Sequence, residues 1–185
     1  MLNNLPDAEL LNIMSRGKPD SDNAFKVIYK RYSSQVHAYC YKLIRDRQVT
    51  EDLYQETFIK FYQKATSDKV NSSVSGLIFT TARNLCFNYI RDKKNTIEIE
   101  DFHLYESTNE YEQNESYKYI NLAIDLLDLE YREPFVLRMY DGLNYNEIAE
   151  ICNISPDTAR QRVFRAKEKM KKLLEPYFKE KIKSN

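Results

Sequence analysis

Turn formers are scarce in this chain. Its 185 residues include three glycines and five prolines, whereas Leu, Ile, Tyr, Lys and Glu are plentiful. Glycine and proline punctuate strands and loops, so a chain poor in both and rich in helix-extending residues reads as all-α. Cysteine is scarce as well. Cys40, Cys86 and Cys152 lie far apart, each within an apolar helical pattern, and no CxxC or Cys/His cluster occurs. That excludes a disulfide framework and a zinc site; the three thiols read as small core residues, and no metal or cofactor is expected. His37 and His103 stand isolated, each structural or exposed. A Gly-rich phosphate loop and a nucleophile–base constellation are both missing, so no catalytic residue and no small-molecule substrate are assigned. No apolar run is long enough to span a bilayer, and the N-terminus lacks the form of a signal peptide. The expectation is a cytoplasmic protein without direct membrane insertion.

Net charge is also lacking, with 28 basic and 28 acidic residues, but the signs are separated. Residues 96–115 hold seven acids (Glu98, Glu100, Asp101, Glu106, Glu110, Glu112 and Glu115) and no Lys or Arg. Residues 156–185 hold ten basic and four acidic residues. An acidic stretch followed by a basic end suggests a linker and then a module for a polyanion.

The most informative stretch is 143–174, LNYNEIAEICNISPDTARQRVFRAKEKMKKLL. Asn144 followed by Glu147 is a capping-box pattern, and Ile148, Ala149 and Ile151 give the helix it opens an apolar face. Asn153 suits a corner because Asn tolerates the left-handed region. Ser155 is a second N-cap, and Pro156 follows at a first helical position, where its missing N–H costs nothing. Ala159, Val163, Ala166 and Met170 make an inward stripe, with Arg160, Gln161, Arg162, Arg165 and Lys169 off it. Ala149 is small where two helices must cross. This is the pattern of a helix-turn-helix, whose second helix enters the major groove, although a helical hairpin with a solvated basic face has the same periodicity.

Other helices are predicted over 6–16 and about 22–45, the second with Phe25, Ile28, Tyr29, Tyr32, Val36, Tyr39, Cys40 and Leu43 on one face. A third opens at Thr50, with Glu51 and Asp52 in a first turn that favours acids. Its Leu53, Phe58, Phe61 and Tyr62 serve the core, and Asp52, Gln55, Glu56 and Ile59 share another face. A polar loop at 66–75 precedes a helix from Gly76, with Leu77, Ile78, Ala82, Leu85, Cys86 and Tyr89 inward. Residues 95–116 read as a mobile acidic linker. A second block begins near Tyr117, with Ile120, Leu122, Ala123, Ile124, Leu126 and Leu127 apolar. Its next helix spans 130–140, with Pro134 tolerated in the first turn, and Pro176 marks the end of the last one. The expected organisation is a first domain at 1–94, a linker at 95–116 and a second domain at 117–185.

Several of these stretches together resemble one family, the sigma factors of bacterial transcription, and within it the small extracytoplasmic-function group. AFKVIYKRY, EDLYQETFIKFY and ARN followed by YIRDKK are similar to the family's second conserved region. YREPFVLRMYDGLNYNEIAEICNISPDTARQRVFRAKEKMKKLL is similar to its fourth. The resemblance implies two small helical domains, core RNA polymerase and promoter DNA as partners, an anti-sigma factor as a regulatory partner, and no enzymatic activity. It places Asp52, Gln55, Glu56 and Ile59 on the coiled-coil clamp of the polymerase's largest subunit. It places Asn84, Asn88, Arg91, Lys93 and Lys94 at the −10 element, with a loop within 67–75 framing an extracted base. Phe79, Phe87 and Tyr89 of that segment either stack on bases or fill the core. Arg160, Gln161, Arg162 and Arg165 then face the −35 element, with Lys167 and Lys169 on phosphates; Arg suits guanine and Gln adenine. Asp157 and Thr158 cap or orient that helix. The acidic linker threads toward the RNA exit path, its charge mimicking nucleic acid.

Three departures from the family pattern stand out. Asn153 sits where many relatives have Gly, Ala159 replaces a commoner Val, and the helix from Gly76 lacks the Trp often found there. Neither an N-terminal inhibitory region nor a third conserved region has room. The alternative is a stand-alone helix-turn-helix transcriptional regulator, against which the 52–59 face and the basic end of the preceding domain argue.

Overall fold

The computed structural model describes residues 2–67, 73–96 and 115–183; the side chains of 94–96, 115, 116, 178 and 180–183 lie outside the description. The described residues are helical throughout, without strands. The chain divides into two compact units, Met1–Glu98 and Ile99–Asn185.

In the first unit a 3-10 turn at Leu2–Asn4 leads to α1 (Asp7–Met14), α2 (Asp20–Ile44), α3 (Arg47–Ser67) and α4 (Val74–Thr96). Leu10 and Met14, Ile28, Val36, Tyr39 and Cys40, Phe58 and Phe61, and Ile78, Phe79 and Cys86 fill the space between them. Asp7 anchors α1 to α2 by accepting hydrogen bonds from Arg31 and Tyr32. Gly17 ends the first helix region in the left-handed conformation, at φ 87°.

Several boundaries differ from the sequence expectation, each because a cap sits earlier. The Asp46 carboxylate accepts from the Val49 N–H at 3.0 Å, so α3 opens at Arg47. Thr50 lies inside the helix, its hydroxyl on the Asp46 carbonyl. Glu51 and Asp52 therefore fall in the second turn, where the dipole is weaker. Ser73 accepts from the Gly76 N–H at 3.0 Å and starts α4 at Val74. Tyr29 of α2 is exposed rather than buried. His37 is not isolated either: its Nε2 lies 2.8 Å from Glu51. His103, the 68–72 part of the expected loop and the 97–114 part of the expected linker lie outside the described residues.

The second unit holds α5 (Glu115–Asp125), α6 (Leu129–Met139), α7 (Tyr145–Cys152) and α8 (Pro156–Lys183). Ala123, Ile124 and Leu127, Val136 and Leu137, Ile148 and Ile151, and the Ala159, Val163, Ala166, Met170 stripe make its core. Leu126 is exposed, against expectation. The α5 helix ends at Asp125, and the Leu127 N–H bonds back three residues to Ile124. That tighter turn points Leu127 inward and leaves Leu126 out. Arg132 closes the α5–α6 joint by donating to the Asp125 and Leu127 carbonyls, which the helix end would otherwise orphan.

Both prolines depart from their expected roles. Pro134 is the sixth residue of α6, not part of its first turn. It deletes one bond, to the carbonyl of exposed Glu130, where water can substitute. Pro176 does not end α8, which continues to Lys183. The carbonyl it frees belongs to exposed Lys172, and Tyr177 stacks on Tyr119 of α5 at 4.2 Å, holding the helix beyond the proline.

Candidate nucleic-acid interface

The α7–α8 hairpin forms as its residues dictate. Asn144 accepts from the Asn146 and Glu147 N–H groups at 2.9 and 3.1 Å, and Glu147 accepts from the Asn144 N–H at 2.8 Å, completing the capping box. Asn153 turns the corner at φ 53°, ψ 53°. The Ser155 hydroxyl accepts from the Thr158 N–H at 3.1 Å. Ala149 and Ala159 are both buried in the hairpin, small enough for two helices to cross closely.

With the small stripe buried, α8 turns a basic surface outward. Arg160, Gln161, Arg165 and Lys167 are exposed. Asp157 orients Arg160 at 3.3 Å, and the same guanidinium lies over Tyr145, 5.5 Å from the ring centre. Arg162 and Lys169 sit on the flank facing α6. Arg162 pairs with Glu130 at 3.2 Å, and Lys169 with Asp128. The Lys169 hydrogen bond holds the Asp128 carboxyl below its usual range, and Asp128 in turn raises the lysine. Three of the six basic or amide candidates, Arg160, Arg162 and Lys169, are thus engaged within the unit. Phe164, which pattern reading passed over, is 64% exposed on the outward face. Its off-stripe position was the available signal.

In the first unit, Asn84, Asn88 and Arg91 recur every three or four residues on α4 and are exposed, as is Lys93. Arg91 pairs with Asp92 at 3.1 Å. The Lys94 side chain lies outside the described residues. Phe79 is core, packed edge-on against Tyr39. Phe87 and Tyr89 are half-buried, covered by Arg83 at 4.3 Å and Lys93 at 5.9 Å.

On α3, Asp52, Gln55 and Ile59 are exposed, Ile59 by 56%, and half-buried Glu56 pairs with Lys60 at 3.0 Å. Gln55 and Ile59 border an apolar groove of about 570 Å³ whose walls include Phe25, Tyr29, Tyr54 and Phe58. The sequence reading missed the groove, because Tyr29 and Tyr54 lie on different helices. Their hydroxyls meet at 2.5 Å. Burial, and then the Tyr29 hydroxyl, push the Tyr54 phenol above its ordinary range. Among the described residues no group of three or more His, Cys, Asp or Glu is placed to hold a metal ion.

Comparison with known proteins matches residues 28–96 to the family model "Sigma-70 region 2" and residues 117–170 to "Sigma-70, region 4". The Bacillus subtilis ECF RNA polymerase sigma factor SigM is 30% identical over 79% of this chain and 92% of its own length. The chain belongs to the ECF sigma factors. This sigma factor is also 25% identical to the RNA polymerase sigma-H factor of Pseudomonas aeruginosa, over 97% of this chain and all of that one. Its fold is that of two solved structures. One is the sigma factor RpoE in complex with the anti-sigma factor NepR from Bartonella quintana, at TM-score 0.68 and 24% identity over 82% and 96% of the two chains. The other is CnrH in complex with the cytosolic domain of CnrY, at TM-score 0.71 and 18% identity over 92% and 97%. Sigma factors direct transcription initiation as DNA-binding factors, and this chain is one.

Proposed function

We propose that this sigma factor joins core RNA polymerase through the exposed α3 face of Asp52, Gln55, Glu56 and Ile59. It then lays the Asn84, Asn88, Arg91 face of α4, with Lys93 and Lys94, along the −10 element. Arg160, Gln161, Arg165 and Lys167 of α8 read or hold the −35 duplex, joined by Arg162 and Lys169 once DNA displaces their carboxylate partners. The observation that carries this reading is the pairing, in one chain, of a capped helix-turn-helix with a basic outer face and a region 2 unit with an acidic and amide face on α3.

The working division is a −10 domain over 1–94, an acidic linker over 95–116 and a −35 domain over 117–185. The protein acts in the cytoplasm as an initiation factor with no chemistry of its own. No described helix is long and apolar enough to cross a membrane. An anti-sigma partner is proposed by analogy with RpoE and CnrH, each of which is bound to another protein in its solved complex. The stand-alone regulator is disfavoured by the region 2 match over 28–96.

Run-off transcription from genomic fragments, with core polymerase with and without this protein, tests the reading. Discrete new transcripts that vanish on charge reversal at Asp52 and Glu56 are expected. Absence of polymerase binding, together with tight duplex binding by the chain alone, would leave the simple regulator.

A further inference from the structure

The groove between α2 and α3 has the size and walls of a small-molecule site. Its volume, about 570 Å³, falls within the roughly 300–1,000 Å³ of ligand pockets. Helical spacing builds it. Phe25 and Tyr29 lie one turn apart on α2, and Tyr54, Phe58 and Tyr62 follow at the same spacing on α3. These five rings meet edge-on or tilted, with centroids 4.8–6.3 Å apart. Each ring is braced by its neighbours, so the slot is preformed rather than opened by its occupant.

The chemistry of the lining selects the occupant. No Lys, Arg, Asp or Glu lines the groove. An ionic ligand would lose water there without gaining a counter-ion. The polar groups are few. Tyr62 donates to Asp22 at 2.6 Å, so its proton is already used. Tyr54 donates to Tyr29 at 2.5 Å, and burial keeps the Tyr54 phenol protonated. The Tyr29 hydroxyl accepts that bond, and among the described residues nothing accepts its own proton. Tyr29 is 39% exposed, so its O–H can turn toward a ligand. Gln55 and Gln63, both exposed, flank Ile59 on the α3 rim. The result is an aromatic slot with one spare donor, suited to a carbonyl oxygen, and with amides at its mouth.

We propose that this groove binds a flat, uncharged aromatic molecule bearing a carbonyl group, and that its occupant blocks association with core polymerase. The second half rests on the proposed docking face. Gln55 and Ile59 belong to both surfaces, so a molecule seated against them covers part of the face that polymerase needs. The groove thereby gives the factor a direct chemical input.

The test uses the full chain and defined probes. Nile red, an uncharged dye that brightens in apolar surroundings, reports occupancy, and 9-fluorenone, a flat aromatic ketone, displaces it. One saturable site is expected, with the amide shifts caused by fluorenone confined to residues 25–29 and 54–63. The double variant Tyr29→Phe/Tyr54→Phe removes the hydroxyl pair and leaves neither partner unsatisfied. It should bind fluorenone about fivefold more weakly, the worth of one neutral hydrogen bond. Fluorene, which lacks the carbonyl, should bind it as it binds wild type, and a thermal melt shows that the variant is folded. Saturating fluorenone should lower the association of wild type with core polymerase. Absence of saturable displacement, shifts mapping to the second unit, or a double variant that binds fluorenone unchanged or loses both probes equally would overturn the site. A filled groove with unchanged polymerase association would overturn the block, and charge reversal at Asp52 and Glu56 then shows which part failed. If the reversal abolishes association, the docking face stands and only the overlap is refuted; if it changes nothing, the docking face itself is refuted.

Discussion

Arg162 of α8 lies 3.2 Å from Glu130 of α6, an intramolecular ion pair on the flank of the helix proposed to hold DNA. A cation engaged this way must leave its carboxylate before it can neutralise a phosphate. The pair is partly exposed, so it contributes at most about 1 kcal/mol to stability. Glu130→Gln should therefore leave the fold intact and tighten promoter occupancy by about twofold to fivefold at low salt. The slope of log affinity against log salt should steepen by about one, the increment for one more phosphate contact. A salt titration of holoenzyme occupancy reads both, and an unchanged slope would remove Arg162 from the phosphate contacts.

The α3 face makes a separate prediction. Asp52 is exposed and Glu56 touches only its neighbour Lys60 among the described ion pairs. Reversing both charges disturbs no core contact and should cost under about 1 kcal/mol. Association with core polymerase should nevertheless fall by at least about tenfold, because like charges then meet across the interface. Sedimentation with core polymerase, alongside a thermal melt, distinguishes a lost docking surface from a lost fold.

Asn144→Ala probes the hairpin's construction. The side chain holds two N–H groups at the start of α7, and its own N–H is held in return by Glu147. Losing the box should destabilise the second unit by about 1 kcal/mol. It should lower the thermal transition of that unit and leave the first unit's unchanged. Equal shifts of both transitions would mean that the two units unfold as one.

How much of this was legible in the sequence depends on how local the cause is. The capping box at Asn144, the corner at Asn153 and the stripe from Ala159 to Met170 are short-range patterns, and the structure reproduces each. Helix ends set by a residue outside the periodic run were misplaced. Asp46 and Ser73 cap helices that apolar spacing alone would start later. Pro176 was read as a stop because proline lacks an N–H, but the stacking of Tyr177 on Tyr119 comes from a helix more than fifty positions earlier in the sequence. For the same reason the Arg162–Glu130 and Lys169–Asp128 pairs, and the groove between Tyr29 and Tyr54, were out of reach: each joins side chains far apart in the sequence.

Asp141 supplies the last prediction. It sits between α6 and α7, only 8% exposed, and neither carboxylate oxygen has a hydrogen-bond partner among the described residues. Burial pushes its pKa from 3.8 up to about 8. In the unfolded chain the group ionises near its ordinary value, whereas in the folded unit it keeps its proton until about pH 8. Across that window the folded state binds one more proton than the unfolded state. Its contribution is therefore full below the unfolded value and lost as pH rises through the folded one, at a limiting slope of about 1.4 kcal/mol per pH unit. Asp141→Asn cannot ionise. Thermal melts of the full chain at pH 5, 6, 7 and 8 should show the wild-type transition falling with pH and the Asn variant's falling less, in the same transition that Asn144→Ala lowers. The variant should be the more stable of the two at pH 8. Parallel curves would mean that Asp141 ionises in the folded protein at its ordinary pH, with water or a shifted side chain taking up its charge.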